Sequence, residues 1–438
     1  MPSTDRQQTP PKHYTTDLTL PPFDKVLKTD RICTWILILA LAMLLPSTQL
    51  VKPVDELTVI ALIALALTDS AVNSAWRRYS LLWVMTGIMA LYAAYSITAV
   101  SYNTPYAIAV DYLIQLKPYI AFAVFVAVGP RFTDADRRIL RAIAVVNAIT
   151  AAAISAFSNQ TVQLLIMHIS IVGITAVISF AVWLLCSIRP DGSISATDKA
   201  MAFMLLALGL PSGRAKFFGT CVVCLYFILV YMRIRRPIRP SRQLLTAIVV
   251  GGLVAAVGWN KFRFYFIDLG YDLRGGGGGI ENLARPALYA AALLIMISRI
   301  PFGSGLASFA SHASGEIHYS KVYYEYGLNH VYGLTPAQPD FICDAYYPSL
   351  AQLGLAGVAL FIAFWIYVAA KLRRIRRTLA QGKALFAIAW IIILFMLIES
   401  IASTTLVQPP GVVSMMLLGI ICSATPPTYG SHTSGNQS

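Results

Sequence analysis

The 438-residue sequence has few charged residues: Asp, Glu, Lys and Arg together make up 12% of it, whereas 57% is hydrophobic. Soluble globular domains carry roughly 25% charged residues, so this composition argues against that class. The apolar runs are about 20 residues long and do not alternate with polar residues, which argues against a strand-based barrel. The sequence therefore predicts an all-α, polytopic integral membrane protein.

Cysteine is also scarce, and five of the six cysteines fall in apolar segments, where thiols behave as small hydrophobic groups. Cys221 and Cys224 have the spacing of a redox motif, but the apolar helix around them favours packing. The few histidines show no convincing metal-ligand spacing, so we expect neither a metal nor a cofactor. The polar, Pro-rich N-terminal region lacks the apolar core of a signal peptide.

Twelve apolar segments predict about 12 transmembrane helices. They lie at about 32–50, 54–68, 79–100, 106–128, 138–158, 163–188, 199–210, 214–232, 243–260, 346–370, 384–404 and 408–423. A further apolar segment, 286–300, is predicted to be an outer amphipathic or re-entrant helix. The resulting organisation is a disordered cytoplasmic tail (1–30), helices 1–9 (31–260), a large periplasmic loop (261–345), helices 10–12 (346–423) and a cytoplasmic tail (424–438).

The positive charges support this topology. With both termini in the cytoplasm, most of the 34 Lys and Arg residues fall on the cytoplasmic side, as the positive-inside rule requires. Such clusters face anionic lipids, so the formal net charge of +14 does not indicate a nucleic-acid partner. The exceptions lie within the membrane or on its outer side, and they indicate a need for positive charge there. They are Lys52, Lys117, Arg214, Lys216, Lys261, Arg263, Arg274, Arg285, Arg299 and Lys321.

The segment ALGLPSGRAKFFGTCVVC (207–224) interrupts an apolar stretch with a Pro-Ser-Gly turn followed by Arg214 and Lys216. Charge parity predicts that the flanking arms, 199–210 and 214–232, form a hairpin. Twelve helical residues rise about 18 Å against a hydrocarbon core of about 30 Å, so the turn should lie beneath the outer surface and line a cavity. Both charges then stand at a helix N-terminus, which binds anions. Snorkelling to lipid headgroups is the alternative.

The segment LRGGGGGIENLARPALY (273–289) places a flexible glycine hinge before a second helix start. Asn282, Arg285 and Tyr289 share one face of that helix by their spacing, and Arg274 flanks the hinge. A flexible loop with solvated arginines is the alternative. The phosphate-loop motif is absent, since no Gly-Lys-Ser/Thr follows the glycines.

Four more positions carry candidate chemistry. Lys117 lies near mid-membrane and on a different helix face from Asp111, so it meets either a ligand's charge or a partner on another helix. Asp344 precedes a span and is either a general base or a helix N-cap. His330 and many tyrosines, including Tyr346, lie in the outer loop, where rings either stack on sugars or form an interfacial belt.

Together these features resemble the O-antigen ligase and polymerase superfamily, polytopic enzymes that act on undecaprenyl-pyrophosphate-linked glycans. The resemblance rests on the turn with Arg214 before a span, on Arg285 in a long outer loop, and on PFGSG (301–305). It also rests on DAYYPSLAQLGLAG (344–357), which runs into the next helix. It implies a GT-C-like membrane glycosyltransferase in the bacterial inner membrane.

The resemblance also implies roles for residues. It implies metal-independent, inverting glycosyl transfer, in which Arg214 and Arg285 bind the pyrophosphate and stabilise it as the leaving group. Asp344 is then the candidate base. We expect the other polar and aromatic candidates to contact substrate: Lys117, Lys216, Arg274, Asn282, Tyr289, His330 and Tyr346.

Ligases of the superfamily resemble one another in a His, often followed by Asn, shortly before the Gly-Leu-Ala-Gly-like segment. This sequence has Cys343 and Asp344 there, which favours a Wzy-type polymerase that transfers the growing chain onto a new repeat unit. An O-antigen ligase and a lipid-linked glycan flippase or transporter are the alternatives. The expected partners are lipid-linked donor and acceptor glycans, membrane lipids and a chain-length-regulating membrane protein.

Overall fold

The computed structural model describes residues 28–51, 53–234, 248–249, 251–256, 259, 263 and 283–424. This part of the chain is mostly helical and has no strand, only an isolated bridge between Thr335 and Gln338, so the all-α prediction is confirmed there. Nearly all of both predicted tails and half of the predicted span 243–260 lie outside the described residues. So do the glycine run, Arg274 and Asn282.

The helices α1 to α14 follow in chain order. They are α1 (Thr29–Ala42), α2 (Val54–Val72), α3 (Ser80–Tyr95), α4 (Pro105–Val128), α5 (Asp134–Ile154), α6 (Asn159–Ile166), α7 (Ser170–Cys186), α8 (Ala196–Ala207), α9 (Ala215–Leu225), α10 (Ala284–Ser298), α11 (Val322–Glu325), α12 (Gly354–Thr378), α13 (Gly382–Glu399) and α14 (Pro409–Ser423). Helical turns of other types extend α3 to Val100 and α9 to Arg233.

Several helices are long and apolar enough to cross a membrane, which supports the prediction of a multi-pass membrane protein. Among the described residues there are five: Ser80–Val100, Pro105–Val128, Ala215–Arg233, Gly354–Thr378 and Gly382–Glu399. A sixth results if α6 and α7, which are bent by 52° at a short break, form one span. The predicted count of about 12 is therefore not confirmed. One reason is length, since α1 has 14 residues and α8 has 12.

The burial of these spans shows which of them form the centre of the bundle. Of the most apolar window of each helix, 67% is buried in α4 and 72% in α13, against 17% in the α3 span and 22% in α12. The last two therefore leave most of their apolar surface exposed, as is typical of helices that face lipid. At the centre α14 packs along α4, and a Cβ at Gly419 would lie only 2.7 Å from the Cβ of Phe125. Glycine is required there because the two backbones approach closely.

Helix α4 shows how local sequence sets the ends of a central helix. The hydroxyl of Thr104 accepts a hydrogen bond from the Ala107 amide, and Pro105 occupies the first helical position. Gly129 ends the helix with a φ of +61°, which glycine adopts without steric cost. These signals fix where α4 begins, and hence which of its residues face the candidate site.

Residues 283–353, here called the loop unit, carry their own apolar core. Leu288 and Ile295 of α10 pack with Phe309, Tyr323 and Leu334. The helix predicted at 286–300 is thus observed as α10 (Ala284–Ser298), with one side buried in the loop unit. This core fixes the orientation of α10, and with it the position of Arg285 in the first turn.

The segment 303–311 is an irregular, buried loop held by side chains. The backbone amide of Ala307 donates to Asp111 at 2.7 Å, and that of Ala310 donates to the Tyr323 hydroxyl at 2.8 Å. Both alanines have positive φ, +57° and +50°, a strained conformation that persists only where neighbouring groups fix it. Asp111 therefore holds this loop. It does not pair with Lys117, which agrees with the prediction that the two lie on different faces of the helix.

Candidate functional site

A cavity of about 1470 Å³ lies where several helices are interrupted. Its lining includes His168 from the break between α6 and α7, Arg214 and Lys216 from the start of α9, and Arg285 from the start of α10. Residues of the connection between α13 and α14 also line the cavity. Non-helical backbone is tolerated inside a membrane protein where it lines such a cavity.

Most of the sequence-predicted site residues lie in this one cavity. They are Lys117, Arg214, Lys216, Arg285, Tyr289, Asp344 and Tyr346. His330 is not brought to it. That histidine is exposed at the end of a short 3₁₀ turn, Leu328–His330, where its Nε2 lies 3.3 Å from the Nδ2 of Asn329. Residues that are more than 200 positions apart in the sequence therefore line the same cavity.

The break before α9 occurs at the predicted Pro-Ser-Gly turn. Helix α8 ends at Ala207, a 3₁₀ turn spans Leu210–Ser212, and Gly213 has a φ of +58°. Arg214 is the N-cap residue of α9, with extended backbone. The prediction that Arg214 and Lys216 open a helix is confirmed, whereas the hairpin and its depth in the membrane stay predictions.

Arg214 has a neutral partner. Its Nη2 lies 2.8 Å from Nε2 of His168, and a guanidinium can only donate, so the imidazole must accept at Nε2. On the other side of the ring, Nδ1 lies 2.7 Å from the hydroxyl oxygen of Ser170 and 3.2 Å from the Ser170 amide nitrogen. Within the described part of the chain Arg214 contacts no carboxylate. Its positive charge is therefore not compensated by these side chains.

Lys216 is neutralised. Its Nζ lies 2.6 Å from Oε2 of Glu399 at the end of α13 and donates to the carbonyl oxygen of Ala402 at 3.3 Å. The Glu399 side chain is almost fully buried, so the lysine charge compensates a carboxylate that would otherwise be costly to bury. The pair also joins α9 to α13.

Arg285 and Asp344 form an ion pair of 2.5 Å, with 26% and 30% of their side chains exposed. Asp344 is not an N-cap, because the 3₁₀ helix that follows at Tyr347–Gln352 has no side-chain cap. Burial raises the pKa of the Asp344 carboxyl above its ordinary value, while the nearby Arg285 acts in the opposite direction. A carboxyl with a raised pKa in a cavity is a candidate base.

Lys117 pairs with acidic residues on another helix, which is one of the two possibilities that the sequence left open. Its Nζ lies 2.5 Å from Oδ2 of Asp55 and 2.7 Å from Oε1 of Glu56, both in the first turn of α2. Only 6% of the Lys117 and Asp55 side chains is exposed. The lysine therefore neutralises a buried carboxylate, which accounts for its place in an apolar helix.

The connection after α13 supplies three successive backbone acceptors, here called the 400–402 turn. The carbonyl oxygen of Ser400 accepts from the Tyr346 amide at 3.1 Å, and that of Ile401 accepts from the Tyr289 hydroxyl at 2.8 Å. The carbonyl oxygen of Ala402 accepts from Lys216. Three predicted site residues are thus fixed by one turn of backbone.

Sequence reasoning missed His168, Asp55 and Glu56. His168 was included in the predicted continuous span 163–188, whereas the helix breaks there and Met167 has a φ of +62°. A lone histidine inside a long apolar run was the available signal. The acidic partners could not be assigned from sequence, because the pairing joins helices that are far apart in the chain.

Of the four Lys and Arg residues that line the cavity in the described ranges, three thus have carboxylate partners and Arg214 faces a neutral imidazole. The cavity is therefore not uniformly basic. An anion that enters it finds uncompensated positive charge at Arg214, beside the N-terminus of α9.

No protein-family model, no curated protein and no solved structure matches this chain.

Proposed function

We propose that this protein is a metal-independent, inverting glycosyltransferase that polymerises undecaprenyl-pyrophosphate-linked repeat units into a surface polysaccharide, such as O-antigen, capsule or exopolysaccharide. The proposed location is the periplasmic face of the bacterial inner membrane, with both termini in the cytoplasm. One observation carries the proposal: Arg214, Arg285 and Asp344, which the resemblance to the O-antigen ligase and polymerase superfamily selects, line one cavity. Three separate parts of the chain contribute them.

The pyrophosphate of the lipid-linked donor binds first at Arg214. This site is supported by the uncompensated guanidinium and by the free amide groups at the start of α9. Arg285 then exchanges Asp344 for the second phosphate, because a guanidinium binds phosphate oxygens through the same paired N–H donors that bind a carboxylate. The two arginines stabilise the charge that develops on the leaving pyrophosphate.

The exchange releases Asp344 at the moment when a base is needed. The acceptor hydroxyl attacks the anomeric carbon from the side opposite the pyrophosphate and transfers its proton to Asp344. The new carbon–oxygen bond forms as the bond to the pyrophosphate oxygen breaks, so the configuration inverts. With Arg285 engaged by phosphate, Asp344 loses the neighbour that lowers its pKa and becomes a stronger base.

The contacts of Lys117 and Asp111 weaken the case for a transporter. Intramembrane Lys117 and Asp111 suit a transport pathway, but Lys117 is paired with Asp55 and Glu56, and Asp111 holds the amide of Ala307. Cys343 and Asp344 stand where ligases carry a histidine, which keeps the polymerase ahead of the ligase.

The proposal is tested by deleting the gene and analysing the glycans. We expect surface glycans that carry one repeat unit, detected as the loss of the ladder on a gel and as a single repeat by mass spectrometry. A ligase would instead leave polymer on the lipid carrier, and a flippase would leave repeat units that face the cytoplasm. Either of those outcomes contradicts the polymerase.

The base role of Asp344 gives a second expected result. Asp344→Asn should lower the polymerisation rate by about 10²–10⁴-fold, the usual contribution of a general base. In the wild type, the rate should fall on acidification at a higher pH than an ordinary aspartate would give, because a base with a raised pKa is protonated earlier. Rates are measured with purified lipid-linked substrate across pH. Asp340→Asn, in the same cavity, is the matched control, and near-wild-type rates for Asp344→Asn would remove the base role.

A further inference from the structure

We infer that His168 is a positioning residue for Arg214, which holds the guanidinium in the cavity through a neutral acceptor and so leaves its charge available to a phosphate ligand. The inference rests on the proposed function and deepens it, because it assigns a residue that makes the first phosphate contact possible. The ligand class is a phosphate diester or pyrophosphate anion. The inference rests on the contact between Arg214 and His168, which joins two helix breaks that are 46 residues apart in the chain.

The first break places the imidazole. Helix α6 ends at Ile166, Met167 adopts a left-handed φ, and the amide of His168 donates to the carbonyl oxygen of Ile166 at 2.6 Å. The hydroxyl of Ser170, the first residue of α7, then lies 2.7 Å from Nδ1 of the ring. The ring is therefore fixed from the side opposite Arg214.

The second break places the guanidinium. Arg214 stands between the 3₁₀ turn Leu210–Ser212 and α9, and α7 packs against both this turn and α8. That packing brings the two breaks together at the cavity. Since two interruptions of separate helices meet in one hydrogen bond, the contact depends on both breaks and not on either helix alone.

Arg214 differs from the other Lys and Arg residues of the cavity because its partner, His168, is neutral. Lys117, Lys216 and Arg285 each lie within 2.5–2.7 Å of a carboxylate oxygen, so an anion that approaches them must displace that partner. A neutral imidazole orients Arg214 equally well but cancels none of its charge. Within the described ranges, the charged groups that act on His168 are Arg214 and Lys216, and the latter is compensated by Glu399.

The test uses inorganic pyrophosphate as the probe and the full-length protein in lipid nanodiscs, with binding measured by isothermal titration calorimetry. His168→Gln keeps a neutral acceptor near the position of Nε2 and should bind pyrophosphate within about twofold of the wild type. His168→Glu holds Arg214 just as firmly but adds a negative charge, and should weaken binding by about tenfold or more. A residue with a purely structural role would give the same result for both variants.

A matched control separates this effect from a general change of cavity charge. His312 lines the same cavity, but its Nδ1 lies 3.4 Å from Glu316. His312→Glu introduces the same charge away from Arg214 and should weaken binding clearly less than His168→Glu. Equal losses for the two glutamate variants would overturn the inference, and so would wild-type affinity in His168→Glu.

The outcomes also distinguish this inference from the proposed function. If Arg214→Ala loses pyrophosphate binding and polymer while His168→Glu keeps both, the role of His168 is refuted and the polymerase stands. If Arg214→Ala itself binds pyrophosphate normally and makes polymer, the pyrophosphate clamp of the proposed function fails. If His168→Gln retains polymer and His168→Glu loses it, the inference is supported in the cell as well.

Discussion

In cells whose only copy of the protein carries Arg214→Ala, the surface glycan is expected to stop at one repeat unit although the protein still inserts in the membrane. Removing a preorganised charge that stabilises a transition state costs about 10²–10³-fold in rate. Arg214 is the cavity cation without a carboxylate partner among the described residues, so its loss removes positive charge that no pair can replace. The glycan ladder and the amount of protein in the membrane fraction measure the two parts of this result.

Arg299→Ala is the matched control for this experiment. Arg299 is an arginine of the loop unit that pairs with Glu325 at 2.7 Å and lies over the Tyr102 ring, and it is not among the residues that line the cavity. Its replacement should leave chain length unchanged. Arg214→Lys should retain partial activity, because it keeps the charge but loses the planar fork that binds phosphate. A normal ladder in Arg214→Ala would refute the clamp.

The second large effect concerns stability. Lys117→Met should lower the free energy of unfolding by about 3–5 kcal/mol, because it leaves the buried Asp55 carboxylate without its partner. Thermal unfolding of the detergent-solubilised protein and its level in the membrane measure this. A Lys117→Met protein as stable as the wild type would contradict the structural role of the pair.

A double replacement separates structure from substrate binding at this position. Asp55→Asn in the Lys117→Met background removes the stranded charge and should restore most of the stability. Glu56 remains, but 44% of its side chain is exposed, so its charge is less costly. If the double variant is stable and makes polymer, Lys117 is structural. Stability without polymer would instead support the predicted contact between Lys117 and substrate.

The sequence predicted those parts of the fold that depend on neighbouring residues. Apolar runs identified most helices, the Pro-Ser-Gly turn marked the start of α9, and the segment 286–300 is observed as α10. These signals are local, since they arise from backbone conformation and helix termini. The predicted span 163–188 is interrupted at Met167, where α6 and α7 meet at a bend of 52°, and its apolar composition does not reveal this break.

The sequence predicted which residues belong to the candidate site, but not which of them pair with each other. Arg214, Arg285 and Asp344 were selected through their sequence context, and they lie in one cavity. The sequence did not reveal that Asp344 pairs with Arg285, that Lys216 pairs with Glu399, or that His168 holds Arg214. Such pairings depend on how helices distant in the chain are arranged, and a single sequence does not encode that arrangement in any local pattern.

The 400–402 turn has a consequence for how the two arginine-bearing helix starts are connected. Lys216 lies two residues after Arg214, and Tyr289 lies four residues, about one helical turn, after Arg285. The side chains of Lys216 and Tyr289 donate to adjacent carbonyl groups, so the helix starts that carry Arg214 and Arg285 are tied to the same short stretch of backbone. The 400–402 turn therefore couples the first turns of α9 and α10, so that a displacement of this backbone would move both arginine-bearing helix starts together.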